Sequence, residues 1–253
     1  MQKERQFLCA MALGLIIRLV VAPVSGHPWD LMTWKTVGQA FLNGTSPYDL
    51  PLYLMGEPRG YNYPPIWALW CALSYFLYTQ IPNGFLLNFL LKLPMIAVDT
   101  LCGLLIFKLT KNVKTLALFY LNPLTIVLGS IWGMFDVIPS YLTLLAFISL
   151  YNEQLWKSAL LLSLGIAVKI FPAFVLPLCL VYVYKQRKRV GDSLLYAVLS
   201  LSVVGLLSAP FLISEGTQYL SAILFHSGRV GGNVTYWHFI WFFQAAFPMN
   251  FNE

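Results

Sequence analysis

The chain has 253 residues, 58% of them apolar and 10% charged, with a formal net charge of +6 and a mean hydropathy of +0.70. A soluble domain carries about 25% charged residues, so this composition excludes an ordinary globular enzyme and points to an all-α, polytopic membrane protein. The positive charge does not signal nucleic acid as a partner: the basic residues sit at the ends of apolar segments, as in KNVK (111–114) and KQRKR (185–189), where membrane topology places them.

Cys9, Cys71, Cys102 and Cys179 lie far apart in apolar segments with no CxxC pair. They read as buried free thiols rather than as disulfides or a zinc site.

In chain order, the first apolar segment is residues 7–24, after the basic start MQKERQ. Arg18 interrupts it and no A-x-A site follows, so it reads as a retained helix rather than a cleaved signal peptide, with its N-terminus cytosolic. Residues 25–84 then form a large outer loop of amphipathic and interfacial helices. Within it, DLMTWKTVGQAFLNG (30–44) predicts an amphipathic helix along the membrane surface. Asp30 is its N-cap, Leu31, Trp34, Val37, Phe41 and Leu42 its apolar stripe, and Gly44 its stop. The stretch IWALWCALSYFLYTQIP (66–82) is short and rich in Trp and Tyr. If it spanned, both basic loops would lie outside; a dip into the outer interface keeps them cytosolic, and that reading is preferred.

Residues 85–109, 116–128, 137–150, 158–168, 173–184 and 194–212 follow as successive crossings. GSIWGMFD, KIFP and the segment from Ser214 to about Tyr236 turn on the outer side, and YWHFIWFFQAAF begins another interfacial or spanning element. Four of these crossings hold only about 11 to 14 residues, against roughly 20 for a straight span. Short segments broken at Asn122-Pro123, Pro139 and Phe171-Pro172 suit a backbone that lines a cavity inside the protein.

The outer ends collect polar residues that a bilayer penalises by roughly 2.5 to 3.5 kcal/mol for a charge at its centre: Asp30, Asp49, Asp136, Lys169, His226 and Arg229, with Asn62 and Tyr63 beside them. Several such groups at one depth predict a hydrated pocket. A carboxylate can take a proton from a hydroxyl nucleophile, and Lys and Arg can hold a phosphate. No HExxH, GxSxG or Walker-type loop occurs. Blander readings stand beside these: Asp30 and Asp136 as helix caps, Asp99 as a structural polar contact, Lys169 as half of a folding ion pair, His226 and Arg229 as solvated loop residues, His27 and His238 as interfacial. The sequons at Asn43 and Asn233 carry no further assignment.

The order SPYD, YNYPP, FYLNP, GMFD, VKIFP and HSGRVGGNVTYW along nearly the whole chain resembles the GT-C membrane glycosyltransferases, in the polyprenyl-phosphate-mannose-dependent branch that includes the first mannosyltransferase of GPI-anchor synthesis and its prokaryotic relatives. The resemblance implies a GT-C-like helical bundle in a single transmembrane domain, with further C-terminal helices in most relatives. It implies inverting transfer of a hexose, mannose first, from a polyprenyl-phosphate donor to a hydroxyl of a glycolipid or glycan acceptor on the outer or lumenal face. Asp30 matches the family's general base; Lys169, His226 and Arg229 match the groups facing the donor phosphate. Asp136, Asn62, Tyr63 and Asp49 fall to the substrate pocket. No organic cofactor is implied, and a divalent metal stays an open alternative, with HPWD offering one acid, Asp30, locally. The small size favours a prokaryotic cell membrane, with the endoplasmic reticulum membrane as the alternative. A lipid-linked-sugar flippase needing the cations but not the base, and a non-catalytic membrane scaffold, are the competing readings.

Overall fold

The computed structural model describes residues 2–50, 53–54, 57–58 and 61–225. Its helices are α1 Gln2–Val24, α2 Pro28–Leu42, α3 Pro65–Gln80, α4 Gly84–Thr110, α5 Val113–Tyr120, α6 Pro123–Ile126, α7 Val137–Tyr151, α8 Leu155–Val168, α9 Leu176–Arg187 and α10 Val190–Leu224. A π-helical turn, Val127–Trp132, continues α6, and a 3₁₀ turn, Phe171–Val175, leads into α9. Between α2 and α3 lies a short antiparallel ladder, Tyr53 opposite Pro58 and Leu54 opposite Glu57.

Among the described residues, helices α1, α4 and α10 are long and apolar enough to cross a membrane, and α5 with the α6–π segment adds a fourth crossing if that pair, bent by 44°, counts as one. The protein is a helical, multi-pass membrane protein. Its helices bury small and polar residues and turn large apolar ones outward, the pattern of a bundle solvated by lipid. On α1 the buried positions are Ala10, Gly14, Arg18 and Ala22, whereas Leu13, Ile16 and Val20 are exposed. The spacing of four keeps the small residues on one face. Gly14 lets α5 approach: a Cβ there would lie 2.5 Å from the Tyr120 ring.

The pairing of α1 with α4 sets the direction of the chain. The Asn88 amide donates to the Pro23 carbonyl, Arg18 meets Asp99, and the Phe107 ring packs against Phe7 in a tilted pair. The two helices are therefore antiparallel, and α4 starts at the end where α1 finishes. Helix α3 begins and returns at that same end. It packs on α2, where Gly38 would place a Cβ 2.4 Å from the Cys71 carbonyl, and its Trp70 indole donates to the Leu90 carbonyl of α4.

Two boundaries depart from the sequence reading. Helix α2 starts at Pro28, with His27 in the capping position, so Asp30 lies in the first turn and is not the N-cap; Pro28 supplies the pre-set φ that starts the helix. The break expected at Asn122-Pro123, by contrast, is present, because Pro123 has no N–H to give the preceding turn. Asn122 Oδ1 caps the new helix by accepting from Leu124 N–H, and the Phe119 carbonyl, which Pro123 cannot serve, accepts from Asn122 N–H and the Thr125 hydroxyl. The segment after residue 212, expected as an outer loop, remains helical to Leu224 across a kink at Glu215. The kink folds the chain back, so that the Tyr219 hydroxyl reaches Ser208 Oγ at 2.6 Å.

Among the described residues the core has three parts, the smallest being Ala10, Leu116 and Tyr120 between α1 and α5. Ala146, Ala159, Leu162, Ile166, Cys179 and Tyr196 join α7, α8, α9 and α10. Trp34, Tyr48, Tyr61, Trp67, Phe135 and Val168 form an aromatic cluster at the end where α1 finishes.

Candidate functional site

That aromatic end gathers most of the polar residues singled out from the sequence. Its framework is a cation in the bilayer-length helix α4. Lys92, wholly buried, donates from Nζ to the carbonyls of Ala22 (2.9 Å), Ser25 (2.6 Å) and Ile131 (3.0 Å). A cation belongs at helix C-termini, where carbonyls lack partners, and here one ammonium serves both the end of α1 and the end of the π-turn. The turn then stops at Gly133, whose φ of +94° favours glycine; a Cβ would also press on Trp34 and Lys92 at 3.2 and 3.3 Å.

With the two chain ends clamped, the corner before α2 meets the π-turn. His27 N–H donates to the Trp132 carbonyl at 3.2 Å, and the His27 ring stacks on the Trp132 indole with centroids 4.6 Å apart. Trp132 Nε1 donates to Asp30 Oδ2 at 2.6 Å. His27 Nδ1 lies 3.3 Å from the same oxygen but takes part in no hydrogen bond. The Asp30 side chain stays 29% exposed.

Four residues after Trp132, Asp136 meets the end of α8. Lys169 Nζ donates to Asp136 Oδ1 at 2.6 Å, and the ammonium also lies 5.2 Å from the ring centroids of both Tyr63 and Phe135, within cation–π range. Asp136 holds the capping position of α7 without making a capping bond; its carboxylate serves Lys169 instead. Phe135 stacks on Trp67 at 4.3 Å, which fixes the segment between the two acids. Lys169 is mostly covered and Asp136 about half open.

Lys169 lines a cavity of about 550 Å³ with Asn62, Tyr63, Pro64, Met134, Ile170, Phe171, Phe174, Ile223 and Leu224. Most of this lining is apolar, Phe174 is 80% exposed, and Lys169 is its charged group. The SPYD and YNYPP loops are tied together beside it: Tyr48 donates to the Tyr63 carbonyl and Tyr61 to the Pro64 carbonyl, each at 3.0 Å. Burial pushes both phenols above their ordinary range, which keeps them neutral donors.

Asn62, Tyr63 and Lys169 thus share one cavity, and Asp136 is joined to it through Lys169. Asp30 sits at the same end but does not line the cavity. Asp49 is exposed in a turn closed by its N–H to the Ser46 carbonyl and does not line it either. His226 and Arg229 lie outside the described residues; His226 follows Leu224 of the cavity wall by two positions in the sequence. Among the described residues no three His, Cys, Asp or Glu side chains converge as a metal site.

Sequence reasoning missed Lys92, Trp132 and Phe135, and assigned His27 to the interface. Lys92 carried a signal: it is a single charge deep in a long apolar run. Trp132 and Phe135 carried none, because their roles arise from the π-turn and the left-handed Gly133.

No family model matches the chain, and no solved structure matches it. It is 27% identical to the polyprenol-phosphate-mannose-dependent alpha-(1-2)-phosphatidylinositol mannoside mannosyltransferase of Mycobacterium tuberculosis (strain ATCC 25618 / H37Rv), a match covering 86% of this chain and 54% of that protein. The chain spans about half the length of this curated relative.

Proposed function

We propose that the chain is a glycosyltransferase of the GT-C type, moving a hexose, mannose first, from a polyprenyl-phosphate donor to a hydroxyl of a glycolipid or glycan on the outer face of the membrane. The observation that carries this reading is the cavity at Lys169. An ammonium shares a pocket with mostly apolar residues, among them the 80% exposed Phe174, which suits a phosphate attached to a lipid chain. The mannosyltransferase relative supports the same donor class.

The chemistry needs few groups. The acceptor oxygen attacks C1 of the sugar, its proton passes to Asp30, and the C1–O bond breaks with its electron pair leaving on the polyprenyl phosphate. A single displacement inverts the anomeric centre. The phosphate leaves as a stable anion, so no general acid is required. Lys169 has three N–H donors and gives one to Asp136; the others can meet phosphate oxygens. His226 and Arg229 complete the cationic side in this proposal, with Asn62, Tyr63 and Asp49 toward the sugar and acceptor. Trp132 and Asp136 carry the link between the base and the phosphate end on one short segment.

The test is transfer from polyprenyl-phosphate mannose to a phosphatidylinositol mannoside by purified wild type, Asp30→Asn and Lys169→Ala. The proposal expects transfer with inversion by wild type and loss in both variants. Transfer with retained configuration, or full activity of Asp30→Asn, would overturn the mechanism; a folded wild type that consumes no donor would overturn the function.

A further inference from the structure

A carboxylate in the first turn of a helix can rotate and offer either oxygen. A general base works only when one oxygen points at the proton it removes, and misplacement by about 1 Å can cost about 100-fold. Asp30 is not left to rotate. Oδ2 accepts from Trp132 Nε1 at 2.6 Å, while Oδ1 takes no hydrogen bond from a described residue. An indole N–H donates and cannot accept, so Trp132 can hold the carboxylate without ever competing for its proton.

The indole is in turn held at three places that leave its N–H free for Asp30. Its own carbonyl accepts from His27 N–H. Its ring face is covered by the His27 imidazole, nearly parallel at 10°. The Ile131 carbonyl beside it is bound by Lys92. Packing does not explain the arrangement, because Trp132 is 37% exposed and the His27 side chain 39% exposed. An exposed stack with an N–H aimed at a half-open acid gains little from burial.

We infer that Trp132 and His27 are positioning residues for Asp30: His27 fixes the indole plane, the indole holds Oδ2, and Oδ1 is the oxygen presented to the acceptor hydroxyl. This rests on the reading of Asp30 as general base. The base itself touches substrate; the two aromatic residues act through it.

Three variants separate the possibilities. Trp132→Phe keeps a ring for His27 and removes the N–H; Trp132→His restores a ring N–H; His27→Leu removes the stack and keeps the backbone bond. Each is assayed as the full chain for transfer from polyprenyl-phosphate mannose to a phosphatidylinositol mannoside, with donor KM and kcat separated and monodispersity checked by size exclusion. Misplacing a reacting group by about 1 Å can cost about 100-fold. Trp132→Phe should lower kcat by up to about that factor with donor KM within about twofold, Trp132→His should recover part of the loss, and His27→Leu should lower kcat less than Trp132→Phe. If Asp30→Asn is inactive while Trp132→Phe retains full kcat, the positioning assignment is wrong and the base assignment stands. If Asp30→Asn retains kcat, the base assignment fails first and this inference with it. Equal losses in Trp132→Phe and Trp132→His, or losses that follow the amount of folded protein, would reduce Trp132 to a structural residue and overturn the inference.

Discussion

Removing Asp99 should destabilise the bundle far more than its single carboxylate suggests. Arg18 is wholly buried and Asp99 nearly so, joined at 3.1 Å. The guanidinium also donates to the carbonyls of Gly14 and Tyr120 and to Thr125 Oγ1, and it lies 4.2 Å over the Tyr120 ring. It ties α1 to α4 and to the break between α5 and α6, where Leu124 N–H turns to Asn122 and leaves the Tyr120 carbonyl to Arg18. Asp99→Ala strands a buried charge. Breaking such a pair from one side costs about 3 to 5 kcal/mol. Polar pairs in membrane proteins measure lower, because the unfolded chain in lipid also finds partners, so about 3 kcal/mol is expected. Arg18→Met should cost as much, since it also frees the Tyr120 carbonyl. The double variant Arg18→Met/Asp99→Leu removes both charges and should cost less than either single change plus the other, leaving chiefly that one carbonyl, about 1 to 3 kcal/mol. The assay is reversible unfolding of the four proteins in mixed micelles. Asp99→Ala within about 0.5 kcal/mol of wild type, a difference typical of surface changes, or a double variant that simply adds the two single losses, would refute the buried-pair account.

Gly14→Ala should lower stability by about 1 to 3 kcal/mol through overpacking, because the new methyl meets the buried Tyr120 ring; unfolding in the same micelles checks it. Lys92→Met should cost about 1 to 3 kcal/mol by leaving the Ala22, Ser25 and Ile131 carbonyls without their donor, and Lys92→Arg should recover only part, since a planar fork does not match three carbonyls gathered round a point charge. Asp136→Asn should leave donor binding intact or tighter, because it removes the negative charge beside Lys169; donor titration checks this, and a loss of affinity would make Asp136 part of the donor contact itself.

The helical membrane class was legible because apolar length and the placement of Lys and Arg are properties of the sequence alone. The basic loops at 111–114 and 185–189 marked helix ends that the structure keeps. Asn122-Pro123 announced a break, and a break is there. The continuation past residue 212 was not legible: Ser214 and Glu215 look like a loop, but the chain kinks and folds back on Tyr219. The site divided in the same way. Lys169 and Asp136 stood out as charges at apolar positions, and the structure joins them. Arg18 and Asp99 stood out separately, yet nothing in a linear reading pairs residues 81 positions apart. Trp132 was invisible, because one Trp among eight becomes special only when a π-turn and a left-handed glycine aim its N–H at Asp30.

The most direct test of the central claim is equilibrium binding of polyprenyl-phosphate mannose to the purified wild type, Lys169→Ala and Asp30→Asn. The account predicts that wild type and Asp30→Asn bind alike, because the base does not line the cavity, and that Lys169→Ala loses about tenfold or more, the worth of one charge-assisted contact. Equal binding by all three proteins would contradict the assignment of Lys169 to the donor phosphate.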